Sequence, residues 1–414
     1  MNKVDVLVIG GGPAGLAAAE AAAKKASKVM ILEREERLGG ILKQCIHDGF
    51  GLLKFSEKLS GCEYAERYID MVEKSKNIDI ILNAFVSNIK KIKQGFKLEV
   101  STNKGMQEIY ASAIVIATGC RERTAKQVNI NGTRPAGVLT AGVAQHYINL
   151  LGGVPFTKCV ILGSGDIGLI MARRATLEGA KVVGVYEAKP TPSGLTRNIH
   201  QCLNDYGIPL HLSHTVTKVF GETRLQAVEV CRVDEKMQPI KGTEQIIECD
   251  GLMLSVGLIP ENEIAEKLGV EIDPATKGAK VDEAMMTSVE GVFSSGNALH
   301  VHDLVDYVSE SAEIAGENAA KYSYKQTKNI EVEKEGFLYL VPQKINVGEK
   351  EKKVPLFFRA KRDLDKAKLT IWVDGEEVYN KKLTYLKPPE MVKLEPLIPP
   401  LNQNSHVKIK LEER

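Results

Sequence analysis

Residues 4–15, with the sequence VDVLVIGGGPAG, decide the fold of the N-terminal part of the chain. An apolar strand that runs into Gly-x-Gly-x-x-Gly and then into a helix is the phosphate-binding unit of a dinucleotide fold. Gly10 permits the tight turn, Gly12 lets the backbone approach a pyrophosphate, and Gly15 lets the helix pack closely on the strand. The helix N-terminus supplies partial positive charge for the phosphates. We therefore predict a nucleotide-binding βαβ unit here.

A second fingerprint of the same kind lies at residues 158–168, with the sequence KCVILGSGDIG. Each fingerprint is followed by another apolar strand that ends in an acid, Glu33 after residues 28–32 and Glu187 after residues 181–186. A carboxylate at this position accepts hydrogen bonds from a ribose diol. The chain is therefore predicted to hold two dinucleotides, which points to a flavin that exchanges hydride with a nicotinamide.

Glu187 also bears on the choice of nicotinamide nucleotide. A carboxylate about 4 Å from a 2′-phosphate would cost roughly 1 to 4 kcal/mol per unit charge at dielectric constants of about 80 to 20. We therefore predict NAD(H) rather than NADP(H), with Lys189 and Arg197 downstream as the residues that would weaken this preference.

The bulk properties of the 414-residue chain exclude several classes of function. A net charge of +2 gives no case for nucleic acid or a charged membrane surface as a partner, and no apolar stretch is long enough to span a bilayer. The seven cysteines contain no Cys-x-x-Cys pair, which is typical of reduced thiols in a cytoplasmic protein. His300-Val301-His302-Asp303 has metal-like spacing, but no third ligand is evident in the sequence, and we predict no metal.

The order of elements is duplicated along the chain. Each half runs from fingerprint to acid, through a hairpin region, and closes with an apolar strand at residues 113–119 or 251–257. Residues 291–297 then indicate a further short strand, followed by a helix from about Leu304 to Tyr322. This order predicts an α/β fold with two Rossmann-like domains. Their predicted bounds are residues 1–121 and 282–321 for an FAD-binding domain, and residues 122–281 for an NAD-binding domain.

The last part of the chain has a different pattern. Alternating apolar residues at 337–341, 354–358 and 369–373, with a turn at Asp374-Gly375, indicate antiparallel strands. We predict a C-terminal all-β sandwich at residues 330–414, joined through a polar linker from Tyr324 to Ile330. It contains no phosphate loop, and we interpret it as a candidate for partner recruitment or homo-oligomerisation.

Over roughly Met1 to Tyr322 these patterns resemble the pyridine nucleotide-disulfide oxidoreductase class of two-dinucleotide flavoproteins. Ala117-Thr118-Gly119 is similar to the segment that contacts flavin and joins the two domains of that class. Residues 257–262, GLIPEN, are similar to its strand-end turn in the nicotinamide domain. Gly296-Asn297 lies where the class usually has Gly-Asp against the ribityl chain of FAD. The asparagine keeps an acceptor there but loses the charge.

The fingerprints and this resemblance together imply a set of cofactor-binding residues. For FAD they are Gly10, Gly12, Pro13, Ala14, Gly15, Glu33, Arg34, Gly40, Val86, Ala117, Thr118, Gly119, Gly296 and Asn297. For NAD(H) they are Gly163, Gly165, Asp166, Ile167, Gly168, Glu187 and Gly257. The role expected of the protein is to position the two rings and to tune their electrostatics.

Within this class the chain is similar to FAD/NAD oxidoreductases that accompany anaerobic glycerol-3-phosphate dehydrogenases. That subgroup is related to the α subunits of opine and amino-acid dehydrogenases. The similarity rests on residues 39–51 (GGILKQCIHDGFG), 134–138 (RPAGV) and 296–303 (GNALHVHD). It implies electron transfer between NAD(H), FAD and either a partner dehydrogenase or a small acceptor.

The chain departs from the disulfide reductases of the class, which place two cysteines beside the flavin. After Gly39-Gly40 it has a single Cys45. Because dithiol exchange needs both thiols, disulfide reductase activity is not expected. Cys45 is a candidate sulfenate-forming thiol or, alternatively, a small side chain that lines the flavin pocket. His47 is a candidate general acid or base or a structural histidine, and His300 and His302 have the same two interpretations.

Three functions remain open at the level of sequence. The first is an NAD(H):flavin oxidoreductase that works with a partner dehydrogenase or a small acceptor. The second is an FAD-dependent dehydrogenase or oxidase that acts directly on an amine, an opine or oxygen. The third is a non-catalytic scaffold or binding subunit of a flavoprotein complex, with the C-terminal β domain as the recruiting element.

Overall fold

The computed structural model describes residues 2–324 and 328–414, and the contacts in it divide the chain into two compact units. Unit 1 comprises Met1–Cys120 and Pro260–Arg414, and unit 2 comprises Arg121–Ile259.

The chain returns to unit 1 earlier than the sequence predicted. The predicted return was at residue 282, whereas residues 260 to 281 already belong to unit 1. The reason is burial, because Ala265, Val270 and Ala279 pack in the apolar core of that unit. Ala265 lies in a helix of only five residues, and Val270 and Ala279 lie outside helices and named strands, so none of the three carries a strong periodic signal.

Unit 1 begins with alternating strands and helices. The strands are β1 (Asn2–Ile9), β2 (Val29–Leu32), β3 (Asp48–Phe50), β4 (Leu59–Ser60), β5 (Ile78–Ile81), β6 (Phe85–Ile92), β7 (Gly95–Thr102), β8 (Gly105–Ile116) and, at the boundary, β9 (Cys120–Glu122). The helices are α1 (Pro13–Ala23), α2 (Gly61–Lys74) and a short 3-10 helix at Gly40–Gln44. A capping box between Ser60 and Glu63 begins α2.

The main sheet of unit 1 has the strand order β5-β2-β1-β8-β7-β6. The first four strands are parallel, and β2 is buried at every position, as expected of a strand covered on both faces. The last three strands form an antiparallel meander. The hairpin region predicted between the acid and the closing strand of this half is confirmed by the antiparallel pair β7 and β8, which turns between Thr102 and Gly105.

Unit 2 repeats this order of elements. Its strands are β10 (Asn131–Gly132), β11 (Val138–Thr140), β12 (Lys158–Leu162), β13 (Lys181–Glu187), β14 (Leu210–Leu212), β15 (His214–Phe220), β16 (Ala227–Arg232), β17 (Gln245–Glu248), β18 (Gly251–Leu254) and, at the boundary, β19 (Leu258–Pro260). Its helices are α3 (Ala141–Asn149), α4 (Asp166–Leu177) and α5 (Thr196–Cys202), with 3-10 helices at Ala125–Val128 and Asn204–Tyr206. A parallel sheet of order β11-β18-β12-β13-β14 lies beside a second sheet of order β10-β15-β16-β17.

The chain then completes the first sheet. The elements are α6 (Glu263–Lys267), β20 (Val292–Ser294), a 3-10 helix at Gly296–Ala298 and α7 (Val305–Lys321). β20 pairs in parallel with β8, and α7 packs along α1. A Cβ atom at Gly316 would lie 2.0 Å from the carbonyl oxygen of Ala18, so this helix contact requires a glycine. The helix predicted from about Leu304 to Tyr322 is confirmed as α7.

The C-terminal part is all-β, as predicted. Its strands are β21 (Asn329–Glu335), β22 (Phe337–Val341), β23 (Lys344–Asn346), β24 (Lys352–Lys353), β25 (Leu356–Ala360), β26 (Leu364–Val373), β27 (Glu376–Leu386), β28 (Val392–Leu394), β29 (Leu397–Ile398) and β30 (Val407–Glu413). They form sheets of order β23-β21-β30-β26-β27 and β22-β25-β28, with a pair β24-β29. Residues 325–327 of the predicted linker lie outside the described residues, and the last residue of that linker, Ile330, is already part of β21.

This C-terminal part does not stand apart from the nucleotide-binding fold of unit 1. Tyr339, Val341 and Phe357 are buried in the core of that fold rather than in the apolar core of the β strands themselves. The sequence predicted an appended domain because alternation along a strand shows that one face is covered, but not what covers it. Among the helices of the described residues, none has both the length and the apolar character that crossing a membrane requires.

Candidate nucleotide-binding sites

The first fingerprint forms a tight turn between β1 and α1. Gly10 has a φ of +110°, and a Cβ atom there would lie 2.4 Å from the carbonyl oxygen of Ala117. A Cβ atom at Gly15 would lie 1.7 Å from the carbonyl oxygen of Gly10. At Gly12, by contrast, the nearest atom to an added Cβ is the Cα of Gly40, at 3.8 Å. Packing therefore requires Gly10 and Gly15, whereas Gly12 leaves the uncovered backbone that a pyrophosphate needs.

Segments distant in the sequence meet at the start of α1. The amide of Gly39 donates a 2.8 Å hydrogen bond to the carbonyl of Gly11, which brings Gly40 against the turn. Gly296 has a φ of +60°, and a Cβ atom there would lie 2.6 Å from the Cβ of Ala14, so that turn also approaches the helix closely. The structure thus brings these predicted FAD residues together.

Glu33 is held in place by backbone amides. Its side chain is buried, and its Oε2 accepts a 2.6 Å hydrogen bond from the amide of Gly11. Its Oε1 accepts a 2.8 Å hydrogen bond from the amide of Glu35. One donor on each oxygen leaves both oxygens able to accept a ribose hydroxyl as well.

Glu261 connects several predicted FAD residues, and the sequence did not single it out in this role. Its amide donates to the carbonyl of Gly119 at 2.9 Å, and its own carbonyl accepts from Thr118 Oγ1 at 2.6 Å. Its carboxylate pairs with Arg34 at 3.2 Å. The GLIPEN segment was assigned to the nicotinamide domain, whereas its residues from Pro260 onward belong to unit 1. The side chain of Val86 is buried in the core, so a contact from this residue to a cofactor falls to its backbone.

Asn297 uses its acceptor inside the protein. Its Oδ1 accepts a 3.0 Å hydrogen bond from the amide of His302. The sequence suggested that this oxygen would replace the usual aspartate toward the ribityl chain. The structure shows that this oxygen already accepts one hydrogen bond, so Asn297 can offer the second lone pair of Oδ1 or the amide Nδ2 for that contact.

The second fingerprint has the same glycine turn as the first, with a tighter environment at its middle glycine. A Cβ atom at Gly163 would lie 2.1 Å from the carbonyl oxygen of Ser255. This matches the first site, where a Cβ atom at Gly10 would lie 2.4 Å from the carbonyl oxygen of Ala117. A Cβ atom at Gly168 would lie 2.7 Å from the Cβ of Ser255, whereas at Gly165 the nearest atom is Ser255 Oγ at 3.3 Å. Ser255 was not predicted as a site residue. Aligning the two closing strands would have found it, because Ser255-Val256-Gly257 then matches Ala117-Thr118-Gly119.

Asp166 and Ile167 begin α4, but their side chains serve the fold. Asp166 Oδ1 accepts hydrogen bonds from the amide of Leu195 at 2.9 Å and from Asn198 Nδ2 at 2.7 Å. Ile167 packs against the apolar core of unit 2. A contribution of these two residues to phosphate binding therefore comes from their amides at the helix N-terminus.

The Cys45 thiol is buried and protonated. Burial, with a smaller contribution from Cys62, raises the pKa of Cys45 to about 12. Its Sγ donates to the carbonyl of Ile41 at 3.4 Å. Cys62 was not considered from sequence, yet its Sγ lies 3.1 Å from the carbonyl of Lys43 and 3.9 Å from that of Cys45, and burial raises its pKa as well. A reactive cysteine needs a lowered pKa, so these surroundings favour the packing interpretation of Cys45.

Replacing Cys45 with alanine is expected to leave the rate of flavin reduction by NADH within about twofold of the wild-type rate. The loss of one small buried group should lower the free energy of unfolding by roughly 1 kcal/mol. Stopped-flow absorbance and urea denaturation measure the two effects. A loss of flavin reduction of more than about tenfold in a folded variant would restore Cys45 as a catalytic residue.

The histidine candidates have different surroundings. The ring of His47 is partly exposed and lies 5.1 Å from the ring of Phe50. His300 and His302 stack at 3.9 Å and are buried against Tyr339 and Phe357 from the C-terminal strands. Burial lowers both pKa values, that of His302 to about 3, so neither ring is protonated at neutral pH. Across residues 2–324 and 328–414, no three His, Cys, Asp or Glu side chains are placed to hold a metal ion.

Two sites of the same construction in one chain define a two-dinucleotide oxidoreductase fold. Residues 4–319 match the family model described as pyridine nucleotide-disulphide oxidoreductase. The chain therefore belongs to the pyridine nucleotide-disulphide oxidoreductase family. The cofactors of this family, FAD and a nicotinamide nucleotide, fit the two sites, because each site offers an uncovered glycine backbone and a buried acid.

Three similar proteins illustrate the family. The chain is 26% identical over 319 residues to hydrogen cyanide synthase subunit HcnB of Pseudomonas protegens, covering 72% of this chain and 65% of that protein. It is 23% identical over 336 residues to an opine oxidase subunit of Agrobacterium tumefaciens, covering 76% of this chain and 64% of that protein. The match thus spans slightly less than two thirds of both curated relatives. The crystal structure of T. acidophilum thioredoxin reductase shares the fold, with a TM-score of 0.63 at 24% identity over 78% of this chain and 99% of that chain.

Proposed function

We propose that this chain is an FAD-dependent oxidoreductase that transfers hydride between NAD(H) and flavin. It exchanges the electrons with a partner dehydrogenase or a small acceptor. The observation that carries the proposal is the repeated site, with Gly12 and Gly165 leaving uncovered backbone and Glu33 and Glu187 buried at the strand ends. The bound cofactors supply the hydride chemistry, and the protein supplies their binding and orientation.

The residues of unit 1 hold FAD in this proposal. The amides at the N-terminus of α1 face the pyrophosphate beside Gly12, where partial positive charge favours the anion. Glu33 would accept the ribose hydroxyls, and Asn297 would offer either its Nδ2 or the second lone pair of its Oδ1. In unit 2 the N-terminus of α4 and Glu187 perform the same two tasks for NAD(H).

The buried thiol of Cys45 and the partly buried thiol of Cys62 support an acceptor other than a disulfide. Thiol–disulfide exchange begins with attack by a thiolate, and burial raises the pKa of both Cys45 and Cys62. A protein with these thiols transfers electrons from its flavin to a partner or to a small molecule directly.

The relatives support a partner. HcnB and the opine oxidase protein are both named as subunits. The similarity at residues 39–51, 134–138 and 296–303 favours a dehydrogenase of the anaerobic glycerol-3-phosphate type as that partner. We place the protein in the cytoplasm, since its seven cysteines are all free thiols.

A second candidate function is direct oxidation of an amine or an opine. The similarity to the opine oxidase protein is the observation that favours it. The two functions differ in which small molecule reduces the flavin of the isolated chain.

Anaerobic mixing of the purified flavoprotein with NADH is expected to bleach the visible absorbance of the flavin. The Gly165→Ala variant should keep its flavin and lose at least about tenfold in apparent NADH affinity, because the added methyl group covers the backbone beside the phosphates and lies 3.3 Å from Ser255 Oγ. Gly153→Ala is the matched control, since no atom lies within 4 Å of a Cβ atom there. A flavin that is bleached by an amine or opine but not by NADH would refute the first function and support the second.

A further inference from the structure

The second nucleotide site differs from the first in the hydroxyl groups around its acid. Glu187 keeps the two backbone donors, the amides of Ser164 and Lys189, each at 3.0 Å. It gains two hydroxyl donors on Oε2, Ser164 Oγ at 2.6 Å and Ser193 Oγ at 3.1 Å. Glu33 has no equivalent, because the position that matches Ser164 in the first fingerprint is Gly11.

The direction of these hydrogen bonds follows from their donors. The amide of Ser193 donates to Ser164 Oγ at 2.8 Å, so the hydroxyl hydrogen of Ser164 is left to point at Glu187. Ser164 is fully buried, which removes competition from water. The result is a relay of two hydrogen bonds that ends on Oε2 of the acid.

The same contacts fasten the loop that follows β13. The amide of Ser193 donates a hydrogen bond to Ser164 Oγ, and the amide of Leu195 donates one to Oδ1 of Asp166 in the first turn of α4. The exposed Lys189 and Arg197 lie on this segment, and they are the first two basic residues after Glu187. A fastened loop restricts the approach of these side chains to a nucleotide phosphate.

The two carboxylate oxygens of Glu187 are therefore not equivalent. Oε2 receives three donors and has no capacity left. Oε1 receives the amide of Lys189 and, within the part of the chain that the structure describes, no second donor. This oxygen is the one that remains to accept a hydroxyl of the nucleotide.

We propose that Ser164 and Ser193 are positioning residues that select the nicotinamide nucleotide. They fix Glu187 so that Oε1 accepts a ribose hydroxyl and opposes a 2′-phosphate. A 2′-hydroxyl can donate to this oxygen, whereas an ionised phosphate has no proton to donate at neutral pH and is repelled by the carboxylate. Without the two hydroxyl groups the carboxylate can turn away, and the penalty against the phosphate falls. The inference rests on the proposed binding of NAD(H) in this site.

The test compares NADH with NADPH on the complete flavoprotein. Ser164→Gly introduces the residue that the first fingerprint has at this position, and it keeps the backbone amide that donates to Glu187. Ser193→Ala removes the second hydroxyl group. Apparent dissociation constants are measured from flavin reduction over a range of NADH or NADPH concentrations. In the double variant the preference for NADH over NADPH should fall about tenfold, which corresponds to about 1.4 kcal/mol. Ser193→Thr, which keeps a hydroxyl group, should retain the wild-type preference.

The controls separate positioning from general damage. Ser87→Ala removes a serine hydroxyl that bonds to the carbonyl of Glu99 in unit 1 and should change neither constant. FAD content and the melting temperature show that each variant is folded. If the double variant does not fold, the partly exposed Ser193 allows the single variant and its threonine rescue to carry the test.

Three outcomes would overturn the inference, and they are distinguishable. A wild-type protein that binds NADH and NADPH equally refutes the proposed NAD(H) preference, and with it the role of the serines. A wild-type protein that prefers NADH, with serine variants whose preference stays within about twofold, refutes the serines alone. Equal weakening of both nucleotides in the variants also refutes selection, because a structural defect does not distinguish the 2′-substituent.

Discussion

The Gly12→Ala protein is expected to fold normally and to purify without FAD. Gly12 has a φ of −78°, which alanine adopts without strain, and the added Cβ would lie at an ordinary 3.8 Å from its nearest neighbour, the Cα of Gly40. The methyl group would nevertheless cover the backbone that a pyrophosphate must approach. We expect FAD affinity to fall at least about 100-fold, or about 2.7 kcal/mol. Titration of the apoprotein with FAD measures the loss.

The neighbouring glycine gives the contrasting control. At Gly15 an added Cβ would lie 1.7 Å from the carbonyl oxygen of Gly10, so Gly15→Ala should disturb the packing of α1 itself. The apoprotein of Gly12→Ala should melt within a few degrees of the wild-type apoprotein, and that of Gly15→Ala should melt well below it. Wild-type FAD affinity in Gly12→Ala would show that this turn does not hold the pyrophosphate.

Acidification from pH 7 to pH 5 is expected to destabilise the protein through His300 and His302. Burial, as the largest cause, lowers the pKa of His302 to about 3 and that of His300 well below its usual value. The unfolded chain protonates both rings below about pH 6.5, whereas the folded protein keeps them neutral. Their stabilisation is therefore present above about pH 6.5 and is lost as the pH falls toward the folded values. Each ring contributes a loss of about 2 kcal/mol between pH 7 and pH 5.

The guanidinium group of Arg359 next to the pair acts in the same direction as burial. Arg359 pairs with Asp303 and donates to Tyr339, whose hydroxyl lies 3.5 Å from His300 Nδ1. The positive charge of Arg359 further lowers both histidine pKa values.

One buried acid acts in the opposite direction. Burial and the charge of Glu283 raise the pKa of Asp282 to about 6. The folded state then binds this proton more readily than the unfolded chain, so Asp282 stabilises the protein as the pH falls, by about 1 kcal/mol between pH 7 and pH 5. The expected net loss in the wild-type protein is about 3 kcal/mol.

A paired substitution isolates the histidines. In a His300→Phe/His302→Phe variant, urea denaturation should show no loss of stability between pH 7 and pH 5. The replacement is tolerable because His300 Nε2 and both ring nitrogens of His302 have no hydrogen-bond partner among the described residues. His146→Gln, which removes an exposed histidine from α3, is the control for the loss of a histidine outside this buried pair. An unchanged loss in the double variant would assign the acid sensitivity to other groups.

The nucleotide sites were predictable because their signals are local. The strand, the glycine turn and the start of the helix lie within residues 4–15 in one site and 158–168 in the other, and each acid ends the next parallel strand. The small residues of α7 and the alternation in the C-terminal strands are equally local. Each of these patterns reflects either a backbone conformation that needs glycine or an element with one buried face. Both can be recognised within a short stretch of sequence.

The partners of the site residues were not predictable in this way. Ser193 reaches Glu187 through a loop without periodicity, and all of unit 2 separates Glu261 from Gly119 in the sequence. Two short strands separate Cys45 from Cys62 in the sequence, yet the Sγ of Cys62 lies 3.9 Å from the carbonyl of Cys45. Burial raises the pKa of both thiols. Such pairings depend on how separate segments pack, and a single sequence does not state which segments meet.

The sequence by itself determined that this protein has two dinucleotide folds with an acid at the end of the second strand of each. A turn that only glycine can form and an acid at a strand end are properties of the chain where they occur. Only the tertiary structure decided that the C-terminal strands bury His300 and His302, that the chain rejoins unit 1 at Pro260, and that Glu187 carries two serine hydroxyls. Burial and hydrogen bonding between distant segments set these features, because the free energy of each contact depends on both partners at once.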